Sequence, residues 1–223
     1  MLLGGLNALS GGWAHTHLSA NGQHLKTEDL RPPLVGQHLQ TVLLSCNDLV
    51  SLEPLNITRN LTTLDASHNA LTSLASLSAG TFSNLVSIDI SHNRLRTLEG
   101  LDRLSRLRRV VAHDNALESL VGLPVGAPCL HELQLAQNAL ASIEGLAVSL
   151  PKLHLNVAHN RVESLAPLAG HGSLEELDAS NNGLPTVGDG FGDLPMLHSL
   201  DLRANRLANL HETLGPSPRA CPA

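Results

Sequence analysis

Histidine and cysteine recur in register along this chain. His68, His92 and His159 each stand one residue before an Asn, and Cys46 stands one residue before Asn47. Neutral imidazoles and thiolates are zinc ligands, so His68 and His92, one sequence period apart, invite a metal reading. A site needs three or four such ligands, and two imidazoles with a Cys one period away do not complete one. No metal and no other cofactor is expected. Carboxylates recur as well: Asp65, Asp89, Asp178 and Asp201 stand four residues before Asn69, Asn93, Asn182 and Asn205. Arg94, Arg96, Arg103, Arg106, Arg108 and Arg109 form a third cluster. Glu99 and Asp102 interleave with them, which points to a salt-bridged surface rather than an anion site. Nucleophilic catalysis finds no support. No Gly-x-Ser-x-Gly elbow, phosphate loop or His-Glu-x-x-His pair occurs, and Gly188, Gly190 and Gly192 lie outside any strand-to-helix turn. The chain is not expected to be an enzyme.

What positions these residues is a repeat. Of 223 residues 48 are Leu, with no Tyr, two Phe and one Trp, so one side chain fills one packing unit many times over. Eight Asn residues mark the units: Asn47, Asn69, Asn93, Asn115, Asn138, Asn160, Asn182 and Asn205. Around them LTTLDASHNAL (61–71), LVSIDISHNRL (85–95), LHELQLAQNAL (130–140) and LHSLDLRANRL (197–207) superpose. Each fits LxxLxLxxNxL, the leucine-rich-repeat signature.

The central LxL has the two-residue period of a strand. Leu133 and Leu135 point inward and Gln134 between them points out. Successive strands therefore stack in parallel, and each Asn closes the turn after its strand. Its carboxamide satisfies backbone groups that the bend would otherwise leave unpaired. The fold expected is an α/β solenoid: a horseshoe with a parallel concave β-sheet and a convex side of short helices, 3-10 turns and loops. Residues 39–214 form the repeat domain of eight repeats. Residues 1–38 form an N-terminal cap with one degenerate repeat, in which Trp13, Leu18 and Asn21 hold the pattern. Residues 215–223, opening Gly215-Pro216-Ser217-Pro218, form a disordered tail. Ala66, Ala112 and Ala179 replace the second strand Leu and thin the core there. Lys152 stands where Leu is due and Leu153 follows, so the sixth strand is expected to be irregular.

The second half of the repeat narrows the class. NRLRTLEGLDRLSRLRRV (93–110) and NALASIEGL (138–146) resemble the 22-residue intracellular leucine-rich-repeat class. That class includes a regulatory subunit of protein phosphatase-1, an axonemal dynein light chain, a spliceosomal component and a tubulin-folding cofactor. Ser-His-Asn is a common form of the turn in that family. The resemblance implies a scaffold or regulatory adaptor that binds another protein on its concave face, such as a phosphatase or a cytoskeletal or ciliary component. It also implies a cytoplasmic or nuclear setting, or a ciliary one.

The repeat register then names the residues of that face. Between the two strand apolars stand Leu43, Asp65, Asp89, Val111, Gln134, Asn156, Asp178 and Asp201. Two positions earlier stand Arg109, Glu132 and Glu176. The partner-binding residues expected are Asp65, Asp89, Arg109, Glu132, Gln134, Glu176, Asp178 and Asp201. Like carboxylates on adjacent strands lie about 4.8 Å apart and gain from a cationic partner.

Net charge of −6 gives no field for direct nucleic-acid binding. No apolar run spans a membrane, and MLLGGLNALSGGW lacks the basic start of a signal peptide. Cys46 and Cys129 fall about four strands, or roughly 19 Å, apart, too far for a disulfide. The sequons at Asn56 and Asn60 keep the alternative open, a secreted or cell-surface leucine-rich-repeat recognition module. No cap motif follows Leu214, so either the chain continues or a partner covers that end.

Overall fold

The computed structural model describes residues 2–6, 13–31, 34–79, 82–124, 129–146, 153–187 and 194–208. Lys152, Gly188, Gly190, Gly192, Cys221 and the 209–223 segment, with its expected tail, lie outside them.

Ten strands form one sheet in strict chain order. They are β1 (Leu2–Leu6), β2 (Trp13–Ser19), β3 (Thr41–Leu43), β4 (Thr63–Asp65), β5 (Ser87–Asp89), β6 (Arg109–Val111), β7 (Glu132–Gln134), β8 (Leu153–Asn156), β9 (Leu174–Asp178) and β10 (Ser199–Asp201). From β2 onward every pairing is parallel, as a coil of short repeats requires. β1 pairs antiparallel with β2, a hairpin that the sequence pattern did not announce. On the convex side Thr27–Asp29, Glu53–Ile57, Ala75–Ala79 and Ala166–Leu168 are 3-10 turns. Leu every third residue matches their pitch, and no longer helix occurs among the described residues.

The core is a stack of columns. Val42, Leu64, Ile88, Val110, Leu133, Leu155 and Leu177 are buried on the strands, as are Leu49, Leu71, Leu95, Leu117, Leu140, Val162 and Leu184 after the turns. Ala66, Ala112 and Ala179 are fully buried. The larger Leu44, Ile90, Leu135 and Val157 occupy the same column in adjacent repeats.

The ladder Asn residues bind two repeats at once. Asn93 shows the pattern: Nδ2 donates to the carbonyls of Ile90 and Ser91 in its own turn and of Ala66 in the preceding repeat. Its Oδ1 accepts from the Leu71 N–H at 2.9 Å. Asn69, Asn115, Asn138, Asn160, Asn182 and Asn205 make the equivalent bonds. Asn47 does so against the N-terminal repeat. The residue before each Asn is left-handed, with φ between 52° and 57° from Cys46 to Ala204. In the N-terminal repeat Gln23, not Asn21, occupies the ladder position. Its Nε2 reaches the Asn21 carbonyl as the Asn residues reach theirs.

The irregular sixth strand takes a defined form. Leu153 pairs with Leu174 but His154 pairs with Glu176, so Glu175 is the extra residue of a bulge. One residue fewer in the β8 repeat leaves one too many opposite it.

Two glycines of the convex turns differ in what surrounds them. Both have left-handed backbones, φ 110° at Gly100 and 96° at Gly145. A Cβ at Gly100 would lie 2.1 Å from the Leu74 carbonyl oxygen, whereas at Gly145 the nearest atom is 4.0 Å away. Gly145→Ala therefore carries backbone strain alone, about 1 kcal/mol, and Gly100→Ala adds a backbone clash for a total above about 2 kcal/mol. Urea denaturation of both variants checks the order, and equal losses would contradict the stacking described. Asn138→Ala leaves turn groups unpaired and should cost about 1–3 kcal/mol in the same assay.

Candidate functional site

The outward side chains of β4–β10 make two parallel columns. In the first, Asp65 pairs with Asp89, Asp89 with Val111, Val111 with Gln134, Gln134 with Asn156, Asn156 with Asp178 and Asp178 with Asp201. In the second, Arg109 lies beside Glu132, Glu132 beside His154, and His154 beside Glu176. The acidic residues thus form two groups, not one strip. Asp65 and Asp89 stand at one end. Glu176, Asp178 and Asp201 stand about four strands away, roughly 19 Å. Val111, buried to 4 % exposure, begins the interruption.

The Asp residues have a local duty that the repeat pattern did not reveal. Asp65 Oδ1 accepts from the Ser67 N–H at 3.0 Å and the Ser67 hydroxyl at 2.7 Å. Asp89 treats Ser91 identically, and Asp178 Oδ1 accepts from the Ser180 N–H. Asn156 does the same for the Ala158 N–H. Each is an Asx turn that secures the exit from its strand. One carboxylate oxygen of each is committed to the fold, and the column's chemistry is shared between stability and recognition.

Neighbouring charges temper the rest. Arg109 Nε meets Glu132 Oε2 at 2.9 Å, so this pair is neutralised between the acidic groups. Asp201 is gripped by Arg203, with Nη2 2.6 Å from Oδ2. The side-chain hydrogen bonds from Arg203, then its backbone N–H and its charge, hold the Asp201 carboxyl below the ordinary carboxylate range. The same contact raises Arg203. Glu176 sits between two imidazoles, 3.2 Å from His154 Nδ1 and 3.5 Å from His198 Nε2. His154 Nε2 is also 3.4 Å from Glu175. His154, Glu175, His198 and Arg203 were not among the residues expected on this face. A column-by-column reading two places either side of the Asp column points to His154 and Arg203, but the bulge that presents Glu175 leaves no such signal.

Beside them lies a shallow depression of about 260 Å³ floored by Leu155 and Leu177 and rimmed by Gln134, His154, Asn156, Glu176, Asp178 and Asp201. It is open and polar, without the water-excluding walls that catalysis needs. The basic run disperses: Arg109 pairs with Glu132, Arg106 donates to Asn84 at 2.8 Å, and Arg103 lies 3.9 Å from Asp102.

The sequence profile described as leucine rich repeats (2 copies) matches residues 59–103. These are leucine-rich repeats. No curated protein sequence is significantly similar. Among solved structures, YopM of Yersinia enterocolitica is 29% identical at a TM-score of 0.62, over 80% of this chain and 36% of its own. The leucine-rich-repeat domain of APL1 is 27% identical at 0.65, over 77% of this chain and 44% of its own. An internalin of Listeria monocytogenes, 19% identical at 0.65 over 91% of this chain and 67% of its own, shares the fold. The chain thus spans less than half of YopM and of the APL1 domain. The fold is consistent with a protein-binding module, and none of these similarities indicates a catalytic family. Among the described residues no helix is long and apolar enough to cross a membrane.

The Asp201 contact sets a pH signature. A carboxyl with a lowered folded pKa contributes stability above its unfolded value, lost as pH falls through the lowered one. Carbon-detected NMR titration should find Asp201 titrating below the ordinary carboxylate range, and Arg203→Ala should move that midpoint upward. An unmoved midpoint would show that the ion pair does not form in solution.

Proposed function

We propose that this chain is a protein-interaction scaffold, a regulatory adaptor whose concave face receives a basic segment of another protein. The observation that carries the reading is the depression at β7–β10, where Glu176 and Asp178 stand on one rim. A Lys or Arg inserted there meets carboxylates at a site already shaped by the turn hydrogen bonds of Asn156 and Asp178. Preorganised charges of this kind steer encounter and fix register more than they add affinity. Asp65 and Asp89 form a second, weaker contact point about 19 Å distant, with the Arg109–Glu132 pair between the two for a polar or acidic side chain of the same segment.

An intracellular setting, cytoplasmic or nuclear, is the compartment we propose. Cys46 and Cys129 are free thiols, and Cys46 is exposed, which suits a reducing environment. A phosphatase or a cytoskeletal or ciliary component is the partner class that the 22-residue repeat resemblance supplies. The acidic concave groups support it. The described concave columns carry no aromatic residue, so a partner here is read by charge and hydrogen bonds.

Affinity capture by the native full-length chain tests the face. Glu176→Lys with Asp178→Lys should weaken the bound partner at least about tenfold, with a steep salt dependence. Asp65→Lys with Asp89→Lys should weaken it less, and Arg103→Glu on the convex side should leave it unchanged. Retention by the first double variant together with loss in the convex variant would move the interface off the concave face.

A further inference from the structure

His92, His113 and Asp114 come together where the turns after β5 and β6 stack. Asp114 Oδ2 lies 3.2 Å from His92 Nδ1 and 3.8 Å from His113 Nδ1. One donor atom from each of the three lies within 4.8 Å of the others. The sequence period had offered His68 and His92, with Cys46 one period earlier. The structure adds His113 and Asp114 from the next repeat and sets His92 and His113 against the Asp114 carboxylate.

We propose that these three side chains form a binding site for a divalent transition metal of the zinc class. A tetrahedral ion holding nitrogen and oxygen at about 2.0–2.1 Å keeps the donors about 3.3 Å apart. The His92–Asp114 separation already meets that spacing, the His113–Asp114 separation needs a shift of a few tenths of an ångström, and the two imidazole donors, within 4.8 Å of each other, close to it by ring rotation. An ion binds there through the lone pairs of the two neutral ring nitrogens and the ionised carboxylate. Two imidazoles, one carboxylate and a water complete four-coordination, the donor set of an open zinc site.

The backbone holds the ligands ready. The His92 N–H donates to the His113 carbonyl at 3.0 Å, and the Asn93 N–H to the Asp114 carbonyl at 3.2 Å. Ladder residues Asn93 and Asn115 secure both turns. His92 and Asp114 share the left-handed conformation, φ 52° and 54°, so their side chains leave the two turns alike. His68 stacks on His92 with ring centroids 3.9 Å apart and a 13° interplanar angle, which steadies the ring a metal would bind. The side chains of His92, His113 and Asp114 are each about one-third exposed, at 35%, 33% and 37%, leaving a path for the ion.

Repeat four also breaks the local rule in the way the site needs. Repeats two and three run Asp-x-Ser-His-Asn, and their Ser closes an Asx turn on the Asp. Repeat four runs Val111-Ala112-His113-Asp114-Asn115. Val111 offers no acceptor, so the position of the Ser is released from turn duty and carries an imidazole instead.

Calorimetric titration of the full-length chain with zinc chloride alone tests this. One equivalent should bind to the wild type. His92→Asn, His113→Ser and Asp114→Asn should each weaken that event at least about tenfold, the effect of losing a direct ligand. His159→Asn, in the same turn position of repeat six, should leave it intact. Asn tolerates the left-handed backbone, and Ser is what repeats two and three carry, so the folds should persist. In the wild type, one equivalent of zinc should also shift the NMR ring signals of His92 and His113 ahead of those of the other histidines. Absence of a one-to-one event, or an event that survives all three ligand substitutions, overturns the proposal.

Discussion

The carboxamide of one Asn per repeat is the interaction on which this structure depends. A strand of three residues cannot hold its own turn, and a turn buried between neighbours cannot leave its amides and carbonyls unpaired. Asn answers both demands because it donates and accepts from one rigid group. Nδ2 closes its own turn and reaches the preceding one, while Oδ1 takes the N–H that begins the next apolar column. Repeat is thereby bonded to repeat by side chain as well as by strand. The left-handed residue in front of each Asn is the cost of so sharp an exit, and His68, His92, Asp114, His159 and Asn181 are of the types that tolerate it best.

This constraint fixes which atoms face outward, and so it decides what the concave face can do. Asp at the outer strand position serves as a second turn clamp two residues downstream, so a residue chosen for the fold also lies on the recognition surface. The same stacking brings residues of different repeats into contact at strand spacing. Arg109 with Glu132, His154 with Glu176, and His92 with Asp114 are all pairs 22 or 23 positions apart made neighbours by one ladder step.

That distinction explains what the sequence made legible. The solenoid, the inward columns and the order of the outer residues follow from period alone, because every repeat obeys the same geometry. Pairing between outer side chains does not, since it depends on rotamers and on local departures from the period. Leu153, one residue late, produced the bulge at Glu175. Asn21 looked like a ladder residue, yet Gln23 holds that place, because Ser19 pairs with Leu43 and Gln23 follows Ser19 by four residues as Asn47 follows Leu43. β1 escaped notice because an antiparallel edge strand follows no repeat. His92 was legible as a candidate donor, but His113 was not, because it stands one position before the column that holds His92 and Asp114.

Amide hydrogen exchange reads the ladder directly. The N–H groups of Leu49, Leu71, Leu95, Leu117, Leu140, Val162 and Leu184 donate to Asn side chains rather than to any strand partner. If the carboxamides hold the repeats together, these seven amides exchange as slowly as those of the central strands β5–β7, through opening of the whole stack. Exchange at the rate of exposed loop amides, with the strands still protected, would show that the Asn ladder is decoration on a solenoid held together by its sheet and its leucines alone.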